Sequence, residues 1–274
     1  MLQKAFDNVR KNKPLIHNIT NYVTVHECAN IIIACGGSPI MSDDIEEVSD
    51  ITSICSGLNI NIGTLNKNSI ESMFIAGKKA NELNHPVLLD PVGAGASKLR
   101  TETAIKLIKE IQFSVIRGNI SEIKALSNGC KNTRGVDADT NDTINENNIE
   151  TIINLAKKFS EETNAIIAIT GAIDIVANKN NVYIIKNGCP EMSHITGSGC
   201  MLSAMTTAFI CANHSNELHA CAASVCAMGL AGEKALQKMK NLNAGNASYS
   251  NLIIDEIYNM NRDNFIKGAK YEYR

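Results

Sequence analysis

The chain of 274 residues is 44% hydrophobic, carries a formal net charge of −2 and contains no Trp. Such a length fills the core of one domain, here expected to span residues 1–274, or of two small ones, and no linker or repeat divides the chain. Near-neutral charge and few aromatics exclude a nucleic-acid surface, and the want of any membrane-length apolar run or apolar signal core excludes a membrane partner and leads to the expectation of a cytoplasmic protein.

Residues 1–13 read as an amphipathic helix with Leu2, Phe6 and Val9 on one side, ended by Pro14. P-L-I-H-N-I-T-N (14–21) reads as a buried strand running into a polar turn, whose His17, Asn18, Thr20 and Asn21 either satisfy backbone groups or line a pocket. A helical pattern from Tyr22 to Cys35, closed by Gly36-Gly37, precedes a very short strand over Ser38–Met41. Asp43 to Val48 is acidic and helix-like, Ile54 to Ile62 reads as a strand, and Ser69 to Leu83 reads as a helix with Met73, Ile75, Ala76 and Ala80 toward the core.

The apolar strand His85–Leu89 runs directly into D-P-V-G-A-G-A (90–96). A carboxylate at the C-terminal end of a buried parallel strand, followed by a glycine loop, lies where open α/β sheets hold ligands, which makes Asp90 a candidate site residue. The loop is not a dinucleotide fingerprint, because Lys98 stands where the last glycine belongs, and no G-x-x-x-x-G-K-[ST] loop occurs. Thr101 to Ile111 reads as a helix with Ile105, Ile108 and Ile111 on one face. The strand Phe113–Ile116 ends in Arg117-Gly118-Asn119, and a helix from Ser121 to Leu126 carries Glu122.

Residues 127–146, rich in Asn, Asp and Gly, are expected to form a surface excursion or a mobile flap, followed by an amphipathic helix over 147–161. The strand Ala165–Ile169 ends at Thr170-Gly171, and Asp174–Asn178 with Val182–Lys186 read as an antiparallel hairpin at the sheet edge. From Met201 to about Tyr258 the chain is almost wholly helical, with Met201, Met205 and Met228 as core filling. The expected fold is therefore α/β, a doubly wound, mostly parallel central sheet flanked by helices with an antiparallel edge hairpin.

The nine cysteines are scattered, odd in number and never spaced C-x-x-C, which indicates buried thiols in a reducing compartment and no disulfide framework. Cys211, His214, His219 and Cys221 cluster in sequence but match no zinc pattern. The organising stretch is H-I-T-G-S-G-C-M-L-S-A-M (194–205), a glycine turn feeding an apolar helix. Unpaired amides at such a helix start, approached over glycines, can cradle an anion; the alternative is an ordinary glycine turn before a buried helix. Cys200 falls at the helix start, where the dipole can lower a thiol pKa. Strand ends of a parallel sheet share one edge, so Asp90, Arg117-Gly118-Asn119, Thr170-Gly171 and Thr196–Cys200 should converge. That set suits polyphosphate with Mg²⁺ better than acyl or hydride chemistry.

On P-L-I-H-N-I-T-N (14–21), G-G-S-P-I-M (36–41), N-I-G-T-L (61–65), D-P-V-G-A-G-A (90–96), R-G-N with S-E-I (117–123), G-V-D (135–137), A-I-T-G (168–171) and T-G-S-G-C (196–200), the chain resembles the hydroxyethylthiazole kinases of thiamine (vitamin B1) salvage, of ribokinase-like fold. The resemblance implies ATP-dependent phosphorylation of the hydroxyl of 4-methyl-5-(2-hydroxyethyl)thiazole, with Mg²⁺, in a homotrimer whose active sites lie between subunits. It implies thiazole contacts at Met41, Gly197, Asn21 and Val23, and ATP contacts at Arg117, Thr170 and Asn119. Asp90 and Glu122 match the acidic residues near Mg²⁺, and Gly197, Ser198, Gly199 and Cys200 match the anion hole. Cys200 stands where many ribokinase-like sugar kinases carry an aspartate base. Ala172 departs from the acidic residue expected after Thr170-Gly171.

Rival readings are a hydroxymethylpyrimidine kinase or a nicotinamide-nucleotide hydrate dehydratase, each of which would carry an aspartate in place of Cys200. A cysteine hydrolase pairing Cys200 with His194 or His17, and a non-catalytic thiazole-binding protein, complete the set. Because phosphoryl transfer has a loose transition state in most analyses, positioning and charge neutralisation outweigh a strong base.

Overall fold

The structure, a computed structural model, describes residues 2–130 and 144–274. Its strands are β1 (Leu15–Ile19), β2 (Ser38–Met41), β3 (Gly57–Asn61), β4 (Val87–Asp90), β5 (Val115–Asn119), β6 (Ile166–Thr170), β7 (Asp174–Ala177), β8 (Val182–Ile185) and β9 (Tyr271–Tyr273). Its helices are α1 (Leu2–Asn12), α2 (Val25–Cys35), α3 (Val48–Ile54), α4 (Lys67–Glu82), α5 (Lys98–Glu110), α6 (Ile120–Cys130), α7 (Ile149–Thr163), α8 (Ser198–Cys211), α9 (Glu217–Asn241), α10 (Asn246–Asn259) and α11 (Arg262–Gly268).

The strands form one sheet in the order β2-β1-β3-β4-β5-β6-β7-β8-β9, parallel from β2 to β6 and antiparallel beyond. Strands such as V-L-L-D and I-I-A-I-T are apolar on both faces because helices cover both faces of the parallel part. One core lies under α1, α2, α8, α9 and α10, the other under α4 to α7. Met201 to Cys211 of α8 are all buried, as suits a helix apolar on every side. Among the described residues, no helix is long and apolar enough to cross a membrane.

The expected doubly wound sheet is present, with four corrections. The acidic run from Asp43 is a turn up to Glu47, and the helix is α3. Val48 and Thr52, four apart, bury one helical face, so Ile54, where the expected strand begins, is the last residue of α3, and β3 starts only at Gly57. The inner face of α5 is Thr103, Ala104 and Leu107, with Ile105 and Ile108 at its flanks. Residues 127–130 are the last turn of α6, while most of the expected excursion, G-V-D (135–137) included, lies outside the described residues. The expected antiparallel edge is present, and β9 extends it by pairing with β8; Tyr183 and Tyr273 meet there with ring centroids 4.6 Å apart.

Candidate active site

Strand order reverses at β1, which has β2 on one side and β3 on the other, and the crevice at such a reversal receives ligands in open α/β sheets. Beside it, β3 sends Leu58 and Ile60 into the α4 to α7 core, so Asn61 lies on the face toward α8. Register places Asn61 beside Asp90 on β4. The Asp90 carboxylate is fully buried; its Oδ2 accepts from Asn61 Nδ2 (2.9 Å), Ser203 Oγ of α8 (2.8 Å) and Arg117 Nη1 (3.5 Å). Its Oδ1 is buried without a protein partner. Burial pushes the Asp90 pKa up to about 6, against the pull of Arg117.

Arg117 and Thr170 occupy adjacent strand ends, and Arg117 Nη2 donates to Thr170 Oγ1 (2.6 Å). The guanidinium lies directly over Gly199. A β-carbon there would stand 2.7 Å from Nη1, so only glycine lets the cation rest on the start of α8. The amides of Ser198, Gly199 and Cys200 precede the first intrahelical bond, which Met201 N donates to Gly197 O (2.8 Å). Gly197 caps the helix in the left-handed region, at φ 85°. A guanidinium and a helix N-terminus thus share one spot, which is an anion site by geometry.

Glu122 has a different task. Its Oε1 accepts from Gly93 N (2.9 Å) and its Oε2 from Asn119 N (2.8 Å), while Asn119 Oδ1 accepts from Glu122 N (2.8 Å). The glycine loop after β4 is therefore tied to the start of α6, with the Glu122 charge close enough to raise the Asp90 pKa. Among the described residues no three His, Cys, Asp or Glu side chains form a metal cage. The free Asp90 oxygen fits a cation of the Mg²⁺ kind, which is held by one or two carboxylates and otherwise by substrate phosphates and water.

A helix dipole can lower a thiol pKa at the position of Cys200, but burial, then the Asp90 charge, raise it, so the thiol is neutral at physiological pH. Its Sγ accepts from Asn21 Nδ2 (3.3 Å) and Asn61 Nδ2 (3.2 Å), and no histidine is among its partners. His17, the proposed hydrolase partner, has Nε2 donating to Ser42 O (3.0 Å) and Nδ1 2.9 Å from Thr52 Oγ1; His194 is exposed. Neither polarises the thiol.

The acceptor side is a cavity of about 180 Å³ beside the strand-order reversal, walled by Met41, Met73, Val25 and Tyr22, with Ser42 and Asn66 among its polar groups. Of the four expected thiazole contacts Met41 lines this cavity, while Val23 stands 54% exposed outside its lining, which includes Val25. Thr24 links the cavity to the helix start: its methyl lies against Gly197 and its hydroxyl donates to Asn21 Oδ1 (3.1 Å). A larger cavity of about 360 Å³, lined by His214, His219 and Tyr273, opens at the opposite end of the sheet, at the start of β6. It contains none of the converging strand ends.

Sequence reasoning missed Asn61, Ser203 and Asp174. A signal for Asn61 existed, since N-I-N puts two amides at alternate positions of an otherwise apolar strand. Asp174, at the start of β7, accepts from Gly171 N (2.9 Å) and so braces the turn that carries Thr170. Burial pushes its pKa up to about 7, against the Arg117 charge. Because this pKa is raised above the unfolded value, the stability Asp174 contributes is full below about pH 4 and is lost as pH rises through about 7. Asp174→Asn, which keeps an oxygen for Gly171 N–H and cannot ionise, is expected to melt several degrees above the parent at pH 8 and with little difference at pH 4. An equal difference at both pH values in thermal melts would refute the shift.

The family model for the hydroxyethylthiazole kinase family matches residues 6–263. The chain is 61% identical over 272 residues to a hydroxyethylthiazole kinase of Clostridium acetobutylicum, covering 99% of each, and 52% identical to one of Clostridium tetani, covering 96% of this chain and 94% of that one. Among solved structures, the hydroxyethylthiazole kinase protein of Pyrococcus horikoshii superposes with a TM-score of 0.89 at 32% identity, covering 100% and 98% of the two chains. A ribokinase-like superfamily protein from Enterococcus faecalis matches with a TM-score of 0.61 at 10% identity, covering 94% and 89%, which is a likeness of fold alone.

Proposed function

We propose, on the premise that the chain belongs to the hydroxyethylthiazole kinase family, that it transfers the γ-phosphoryl group of ATP to the hydroxyl of 4-methyl-5-(2-hydroxyethyl)thiazole in thiamine salvage. Residues 1–274 work as one kinase domain in this reading. The observation that carries it is the Arg117 guanidinium lying over Gly199 at the start of α8, next to the buried Asp90 carboxylate.

The reading assigns the following roles. Arg117, Thr170 and Asn119 hold the nucleotide's phosphate side. Gly197, Ser198, Gly199 and Cys200 offer backbone amides to the group in flight, where donors already in place are worth most. Met41, Gly197, Asn21 and Val23 are the thiazole contacts of the proposal. Mg²⁺ would sit against Asp90, with Glu122 as the neighbouring charge, and would neutralise phosphate charge as the transfer proceeds. A neutral, hydrogen-bonded Cys200 thiol is a poor base, and a loose transition state does not require one. Cys200→Ala is therefore expected to keep kcat within about tenfold of the parent. A folded Cys200→Ala enzyme that binds both substrates without turnover would refute this.

A homotrimer with active sites between subunits completes the reading. Tyr22 and Val23 support it: they are 79% and 54% exposed beside the cavity, an apolar rim left uncovered in a single chain. Light scattering on the purified protein should give three times the chain mass, and a monomer would overturn the arrangement. No disulfide joins any two of the nine cysteines, which is consistent with a cytoplasmic setting. The deciding assay measures ATP consumption with Mg²⁺ and hydroxyethylthiazole, using hydroxymethylpyrimidine as the control alcohol. Absence of thiazole-dependent turnover sinks the assignment.

A further inference from the structure

We infer that Asn61 is the positioning residue of this site, a single side-chain amide that holds the Asp90 carboxylate and the Cys200 sulfur in fixed relation to each other. The inference rests on the phosphotransferase reading above and goes beyond the residues named there. Asn61 ends β3, 1% exposed, and its amide is used to capacity. Its Nδ2 donates to Asp90 Oδ2 (2.9 Å) and to Cys200 Sγ (3.2 Å). Its Oδ1 accepts from Gly63 N (2.9 Å) and from Asn21 Nδ2 (3.0 Å). An amide has two N–H donors and two acceptor lone pairs, so no capacity is left over and the group cannot rotate without losing all four bonds.

This arrangement has a consequence for the site. Asn61, Ser203 and Arg117 all crowd onto Asp90 Oδ2, which turns the other oxygen, buried and unpartnered, away from the protein donors. The same amide pins the sulfur at the first turn of α8, the element whose amides form the anion site. Asn21 closes a triangle by donating to both Asn61 and Cys200. The carboxylate on the sheet and the helix start are thereby locked at one separation, which ordinary packing of a helix on a sheet would leave free to slide. Ser203 gives Asp90 a bond of similar length from within α8, and that bond does not involve the sulfur.

The test compares Asn61→Ser and Asn61→Asp with Ser203→Ala, each purified and assayed with ATP, Mg²⁺ and hydroxyethylthiazole, alongside thermal melts and the affinity for a non-hydrolysable ATP analogue. Turnover by the parent protein is established first, so a dead parent counts against the proposed function and an active one lets Asn61 be judged separately. The expected result is a kcat lower by roughly 10- to 100-fold in the Asn61 variants with KM values within about threefold, the signature of misplaced reacting groups. Ser203→Ala should lose only a few-fold. In a Cys200→Ala background the loss from Asn61→Ser should shrink, since one of the two groups it aligns is gone. Equal effects of Asn61→Ser and Ser203→Ala overturn the inference. So does a parallel fall of kcat, nucleotide affinity and melting temperature in both Asn61 variants, which marks a merely structural amide.

Discussion

Asp90→Asn is expected to fold, to bind ATP with nearly unchanged affinity and to lose kcat by roughly 100- to 1000-fold. The isostere can present its carbonyl oxygen where Oδ2 now accepts from Asn61, Ser203 and Arg117, so the scaffold keeps its bonds. What disappears is the negative charge and the free oxygen, replaced by an N–H₂ group facing a site built for phosphates and their cation. Titration should mimic the substitution: below about pH 6 the buried carboxyl takes up a proton and the parent's turnover falls with it. Steady-state kinetics across pH and calorimetric ATP binding check both halves. A kcat within about threefold of the parent at pH 8 would remove Asp90 from the mechanism.

Gly197→Val should be nearly as damaging, for a steric reason. Gly197 sits at φ 85°, a region closed to β-branched residues, and a β-carbon there would stand 2.6 Å from Thr24 Cγ2. Thr24 is buried and its hydroxyl holds Asn21, which in turn holds Cys200 and Asn61. The strain, about 1–3 kcal/mol at the backbone alone, has no soft outlet and displaces the helix start together with the acceptor pocket. The expected loss in kcat/KM for the thiazole alcohol is roughly 100-fold or more, with a lower melting temperature. Near-parental kcat/KM would show that this turn does not receive the transferred group.

Much of the molecule could be read from local pattern. Short apolar strands ending in Asp90, Arg117 to Asn119 and Thr170 announce a parallel sheet with its polar ends on one edge, and the structure brings those residues within reach of one another. The glycine turn before α8 is equally plain, because two glycines before an apolar run have few other uses. Where packing outvotes propensity the pattern misleads: Val48 and Thr52 bury one face of α3, which carries Ile54 into the helix although that residue reads as the start of a strand. β9 was invisible because a three-residue strand carries no periodicity, and its pairing partner lies far back in the chain.

The fold class, the order of the strand ends, the glycine-bounded helix start and the family are legible in the amino-acid order, since each is written in contiguous residues with a local physical meaning. How those residues act on one another comes from the packed chain. Burial and the Asp90 charge make Cys200 a neutral thiol where the helix dipole alone would have made it reactive. Glu122 is committed to the backbone amides of Gly93 and Asn119, and Asn61 emerges as the amide joining Asp90 to Cys200. Desolvation and hydrogen-bond geometry depend on neighbours from distant parts of the chain, and no local pattern encodes them.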